Sequence, residues 1–164
     1  MMSRICIISD THDNILSIRR ALNLMASNPP SLVVHCGDIS SAAALAEFAG
    51  LPMRLVFGNC DHDRRSLNRE AAKLGFEEIA DILRFTQSGS KFFVSHGSDS
   101  SILREAVRSG EYDFVLTGHS HERCDMLEGG TRIINPGALY RAAAYSYAEL
   151  DLRDGSLRFV EVPK

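Results

Sequence analysis

Five short apolar runs, residues 5–9, 32–35, 54–57, 92–95 and 114–117, each stop at side chains able to hold a metal ion: Asp10 and His12, Asp38, Asn59, His96, then His119 and His121. The runs are rich in Val, Ile, Leu or Phe and have the length of buried strands. In open α/β sheets ligands gather outside the carboxyl ends of strands. Loops at all these strand ends can therefore converge on one crevice, and the set has the makeup of a two-metal site.

The stretches between the first strands read as helices. Residues 14–27 place Ile15, Ile18, Leu22 and Met25 on one face and stop before Pro29 and Pro30. Ser40 or Ser41 can cap an Ala-rich stretch through Phe48, residues 64–74 end at Gly75, and Ser98 or Asp99 can cap residues 101–108 before Gly110. After Gly118 the character changes. Residues 124–128 and 131–135 around Gly129-Gly130 read as one hairpin, and residues 144–150 and 157–162 around Asp154-Gly155 as another. Strand-helix alternation followed by antiparallel strands predicts two packed sheets with helices outside. With 164 residues, no internal repeat, no linker-like run and no inserted cap, the chain reads as one domain.

Formal charge is −3 with both signs interspersed, which gives no basic footprint for duplex nucleic acid and no polybasic segment for a membrane. The apolar run after Arg4 is too short for a signal peptide, and no 18 successive residues are apolar, so the expected location is cytoplasmic. Cys6, Cys36, Cys60 and Cys124 form no C-x-x-C pair; all but Cys60 read as inert core thiols. Cys60 stands inside a candidate site loop. His35, beside Cys36 on a buried strand, reads as a core histidine bonded to backbone.

Asp10-Thr11-His12 and His119-Ser120-His121 share an i, i+2 spacing, which in extended backbone sends both side chains to one side. Asp38, behind Gly37, suits the place of a bridging carboxylate offering two oxygens. Each piece alone has an ordinary explanation: Gly-Asp is common, Asp10 can cap a helix, and a single histidine is usually structural. Their joint occurrence in order, every piece at a strand end, is what points to a metal site.

The series Asp10-x-His12, Gly37-Asp38, Gly58-Asn59-Cys60-Asp61, His96-Gly97 and Gly118-His119-x-His121 resembles the calcineurin-like metallophosphoesterases, in particular their small YfcE-type phosphodiesterase branch, and Asn135-Pro136-Gly137 is similar to that branch's Asn-Pro-Gly-Ser turn. The resemblance implies an α/β fold, a four-layer α/β/β/α sandwich of two mixed sheets. It also implies Asp10, His12, Asp38 and His121 on one metal and Asp38, Asn59, His96 and His119 on the other, with Asp38, Asn59 and His119 also in catalytic roles. The mixed carboxylate, imidazole and amide donors favour intermediate first-row ions, Mn²⁺ first, then Ni²⁺, Fe²⁺ or Zn²⁺. Two such ions lower the pKa of a bridging water and clamp phosphate oxygens, so hydrolysis of a small-molecule phosphoester, most simply a diester, is the expected reaction.

The chain departs from the pattern in three places. Cys60 stands where many superfamily members carry a histidine that serves as proton donor or phosphate contact; His62 is close enough in sequence to substitute. Ser98 replaces a histidine after His96-Gly97, and Ala138 replaces the turn serine. Cys60, His62 and Ser98 are the candidate substrate contacts. The alternatives are a phosphomonoesterase of the same fold, or a non-catalytic metal-binding scaffold like the retromer subunit that resembles this branch. Oligomeric state is left open, a homo-oligomer included.

Overall fold

In the computed structural model, which describes residues 3–164, the five runs are shared between two sheets. β1 (Arg4–Ile8), β2 (Leu32–His35) and β3 (Met53–Leu55) are parallel neighbours, joined through α1 (Ile15–Ala26) and α2 (Ala42–Ala46) and followed by α3 (Arg64–Leu74). In the second sheet β4 (Ile82–Gln87) pairs antiparallel with β5 (Ser90–Ser95), and α4 (Ser100–Ser109) carries the chain to β6 (Phe114–Leu116), parallel to β5. β7 (Arg123–Glu128) and β8 (Thr131–Pro136) form the first expected hairpin; β9 (Tyr145–Asp151) and β10 (Leu157–Val162) form the second and return to the first sheet beside β1. The strand orders are β10-β9-β1-β2-β3 and β4-β5-β6-β8-β7.

Strand alternation assigns the layers. Ile5, Ile7, Val34 and Leu150 of the first sheet meet Phe92, Val94, Leu116 and Ile134 of the second in a closed core. On the other face of the first sheet, Cys6, Ile8 and Tyr147 pack against Ile18 and Met25 of α1, Leu45 of α2 and Leu67 of α3. Phe93 and Val115 receive Ala106 and Val107 of α4. This is the expected α/β/β/α sandwich, and burying each large apolar side chain contributes about 1.5–3 kcal/mol.

The helices begin and end where their caps dictate. Asn14, Ser41, Asp63 and Asp99 each accept a backbone N–H of the first turn, and Gly75 and Gly110 close α3 and α4 in the left-handed region at φ 76° and 66°. Asn14, not Asp10, caps α1, which leaves the Asp10 carboxylate to other work. Two features escape the sequence reading. Strand β4 turns into β5 through Ser88 and Gly89, at φ 50° and 86°, a two-residue hairpin with positive φ at both positions. β8 runs parallel to β6, so residues 137–141 leave the sheet at the same end as the other site loops. Cys6 and Cys36 are core thiols as expected, whereas Cys124 lies half-buried on edge strand β7. Among the described residues no helix is long and apolar enough to cross a membrane.

Candidate metal centre

The loops after β1, β2, β3, β5 and β6 are laced together by their backbones. Asp10 N–H donates to Gly37 O at 3.0 Å, His12 N–H to Asp38 O at 3.0 Å, and Gly118 N–H to His96 O at 2.9 Å. Glycine makes this approach feasible: a Cβ on Gly58 would strike the Asp38 carboxylate, and one on Gly118 would strike Ser9 Oγ and Asp10 Oδ2. The loops are not extended. Asp10, His12, Asp38, His119 and His121 have φ of 52°, 43°, 59°, 68° and 61°. This corrects the extended-strand reading of the i, i+2 pairs. Asp and His are among the side chains that tolerate this left-handed region best, and such strain clusters at functional sites.

All seven expected side chains are brought together. Asp10, His12 and His121 offer ligand atoms to one cluster, and Asp10, Asp38 and His96 to another. His121 Nε2 lies 3.2 Å from Asp10 Oδ1, His96 Nε2 lies 3.3 Å from Asp38 Oδ2, and His12 Nε2 lies 3.5 Å from Asp38 Oδ2 and 3.7 Å from Asp10 Oδ1. His119 Nδ1 is 3.0 Å from Asn59 Oδ1, and its ring stands 5.2 Å from that of His96. Each carboxylate divides its oxygens. Asp10 Oδ2 accepts from Ser9 Oγ at 2.6 Å and His119 N–H at 3.0 Å, leaving Oδ1 for the centre. Asp38 Oδ1 accepts from Cys60 N–H at 2.7 Å, so a bridge from Asp38 would use the single oxygen Oδ2 rather than both as anticipated.

These distances suit ligands better than ion pairs. A charge-assisted imidazolium–carboxylate bond is about 2.7–2.9 Å long, whereas two atoms on adjacent vertices of a first-row ion, each about 2.1 Å from it, stand about 3.0–3.4 Å apart. Asp10 Oδ1, His12 Nε2 and His96 Nε2 are buried without a hydrogen-bond partner. His96 Nδ1 faces the Cys36 carbonyl at 2.8 Å, which fixes the proton there and turns a lone pair on Nε2 toward two carboxylates. A cation between them satisfies all three orphaned atoms. The electrostatics agree. Burial alone would push the His96 pKa down, yet Asp38 and Asp10 raise it; burial would raise the Asp38 carboxyl, yet His96 and the Cys60 N–H bring it down to about 2. The centre favours positive charge.

The other candidates separate. Cys60 is half-buried at the mouth, with its thiol grouped with His12 and Asp38; burial and then the Asp38 carboxylate push its pKa up. Ser98 is exposed on a cavity of about 410 Å³ beside Asn59 and His96. His62 is exposed and joins neither metal cluster nor cavity wall at the centre. His35 is a core residue: Nδ1 accepts Gly37 N–H at 3.1 Å and Nε2 meets Thr11 Oγ1 at 3.1 Å.

Four supporting residues were not legible as such. Asp61, which closes the Gly58-Asn59-Cys60-Asp61 string, is buried and accepts N–H groups from Asp38, Ser40 and Gly58, tying the second loop to the third. Asn135 Nδ2 donates to Gly118 O and Ser120 Oγ, bracing the loop of His119 and His121. Ser9 orients Asp10, and the Tyr140 ring lies 4.8 Å from that of His12. The signal for Asp61 and Asn135 was their place in the Gly58–Asp61 and Asn-Pro-Gly strings; Ser9 and Tyr140 carried none beyond adjacency.

Known proteins are similar to this chain in sequence and fold. A profile of the calcineurin-like phosphoesterase superfamily domain matches residues 2–155. Phosphodiesterase MJ0936 of Methanocaldococcus jannaschii is 36% identical over 137 residues, 82% of this chain and 82% of that protein. The solved structure of an archaeal phosphodiesterase superposes with a TM-score of 0.90 at 32% identity, over 97% of this chain and 99% of that one. YfcE, a phosphoesterase from E. coli, is 19% identical with a TM-score of 0.70, over 98% of this chain and 100% of its own, and shows the shared fold.

Proposed function

The chain belongs to the calcineurin-like phosphoesterase superfamily and hydrolyses phosphoesters, and from that premise we propose that its substrates are small phosphodiesters and its centre holds two divalent ions. Asp10, His12, Asp38 and His121 would hold one ion, and Asp38, Asn59, His96 and His119 the other. The carrying observation is the trio of buried, unpartnered atoms Asp10 Oδ1, His12 Nε2 and His96 Nε2 facing one another. When bound, the ions supply Lewis acidity to the phosphate oxygens and a nucleophile at neutral pH. Mn²⁺ is the first candidate on donor chemistry, with Ni²⁺, Fe²⁺ and Zn²⁺ compatible.

The chain's own residues divide the work by depth. Asp10, Asp38 and His96 are buried and set the floor, while Asn59 and His119 are exposed above it, where a phosphate can reach them. Ser9, Asp61 and Asn135 hold the loops still. Cys60 puts a thiol, not an imidazole, at the mouth, so proton donation to a basic leaving group is weak and aryl esters are the better substrates. The phosphodiesterases among the relatives favour diesters over monoesters. The retained ligand set favours an enzyme over a scaffold. We read the chain as one catalytic domain without a cap, acting in the cytoplasm.

The test uses bis(p-nitrophenyl) phosphate. Chelation, with metal content verified, should abolish turnover and Mn²⁺ should restore it; Asp38→Ala should lower kcat/KM more than about 10²-fold while the far-ultraviolet circular dichroism is retained. Undiminished turnover by metal-free protein would overturn the reading.

A further inference from the structure

On the His121 side of the centre lies a cavity of about 400 Å³, walled by residues 120–123 and 141–144, that metal binding does not explain. Two arginines line it, and they differ. Arg123 is committed: Nε donates to Ser146 Oγ at 2.9 Å and Nη2 pairs with Glu161 at 3.2 Å. Arg141 is exposed and has no acidic partner among the described residues; its guanidinium lies 5.0 Å from the centre of the Tyr140 ring. That ring is in turn the neighbour of His12. Arg141 thus stands one aromatic ring out from a candidate ligand. Its backbone is fixed at φ 45°, with its carbonyl 3.4 Å from His121 Nδ1. Ala142, Ala143 and Ala144 give the wall small side chains, and Lys164 Nζ braces that segment by donating to the carbonyls of Ala142 and Ala143. Glu122 is the opposing charge on this cavity.

We propose, building on the phosphodiesterase reading, that Arg141 determines specificity by engaging a second anionic group, a phosphate or a carboxylate, on the arm of the diester that enters this cavity. A guanidinium presents paired N–H donors that match either group. The Tyr140 ring backs the guanidinium and ties it to the His12 side of the centre. The reacting phosphate stays at the metal centre, and the second anion sits outside it.

The experiment compares p-nitrophenyl phosphodiesters whose other arm is phenyl, 2-carboxyethyl, 2-phosphoethyl or choline, using the Mn²⁺-loaded protein. The parent should prefer an anionic arm over phenyl and phenyl over choline. Arg141→Ala should lower kcat/KM for an anionic arm about 10- to 100-fold more than for phenyl, the effect falling on KM; Arg141→Lys should restore part of it, and Glu122→Gln should widen the parent's preference. The carboxylate and phosphate arms show which anion is taken. An equal fall for all arms, or no preference in the parent, would overturn the inference while leaving the phosphodiesterase reading intact. No turnover of any arm would overturn both.

Discussion

Asp10 gives its two oxygens different partners, and that division explains why neighbours outside the ligand set matter. Ser9 and the His119 amide hold Oδ2 and so aim Oδ1 at His12 and His121. His35 supports the same loops from behind, and its chemistry gives a pH signature. Full burial lowers its pKa to about 4, outweighing the nearby Asp10 and Asp38 charges, and Nδ1 already accepts the Gly37 N–H. The folded pKa lies below the unfolded value of about 6.5, so the stability tied to neutral His35 is complete above that value. It falls as pH drops, and is lost below about 4, a total of about 3 kcal/mol. Urea unfolding of metal-free protein should show this slope, and His35→Gln should flatten it while lowering stability at pH 8 by about 1–3 kcal/mol. Parallel curves for parent and variant would refute that role.

At the scale of elements, the centre depends on loops pressed against each other, and glycine sets the spacing. Gly118 carries no positive φ, so alanine suits its backbone, yet the added Cβ would run into Ser9 and Asp10. Gly118→Ala should therefore leave the sheets folded while displacing Asp10, with reduced Mn²⁺ occupancy and a loss of about 10²-fold in kcat/KM; retained occupancy and activity would mean that the loops can part cheaply. The candidate ligand positions were legible because each follows a Val-, Ile- or Phe-rich run, and the helices because of the apolar face of α1, the cap residues Ser41 and Asp99, and the stops at Gly75 and Gly110. β4 was not legible: its Arg84, Thr86 and Gln87 break the apolar run of an edge strand, and only Ser88-Gly89 marked the turn. The left-handed backbone at Asp10 and His119 was hidden as well, since tolerance of that region depends on tertiary contacts that no spacing encodes.

For the whole molecule, the decisive fact is that the candidate ligands come from both sheets: Asp10, His12, Asp38 and Asn59 follow strands of the first, His96, His119 and His121 strands of the second. Ions at their junction would bind the folded state alone. At about 100 times the dissociation constant, one such ion adds about 2.7 kcal/mol, or roughly 5–10 °C for a chain of this size. Calorimetry should show that upward shift on replacing chelator with Mn²⁺, and Asp10→Ala should lack most of it; identical melting with and without metal in the parent would count against the centre. A consequence follows for the order of folding. His12 and His121 are separated by most of the chain yet have ring centres 5.4 Å apart, so neither β1–α1 nor the β7–β8 hairpin can assemble the centre alone. Closing so long a loop is slow and entropically costly. The reaction centre is thus expected among the last features the folding chain acquires, and partial opening of the seam between the sheets would silence the enzyme before either sheet melts.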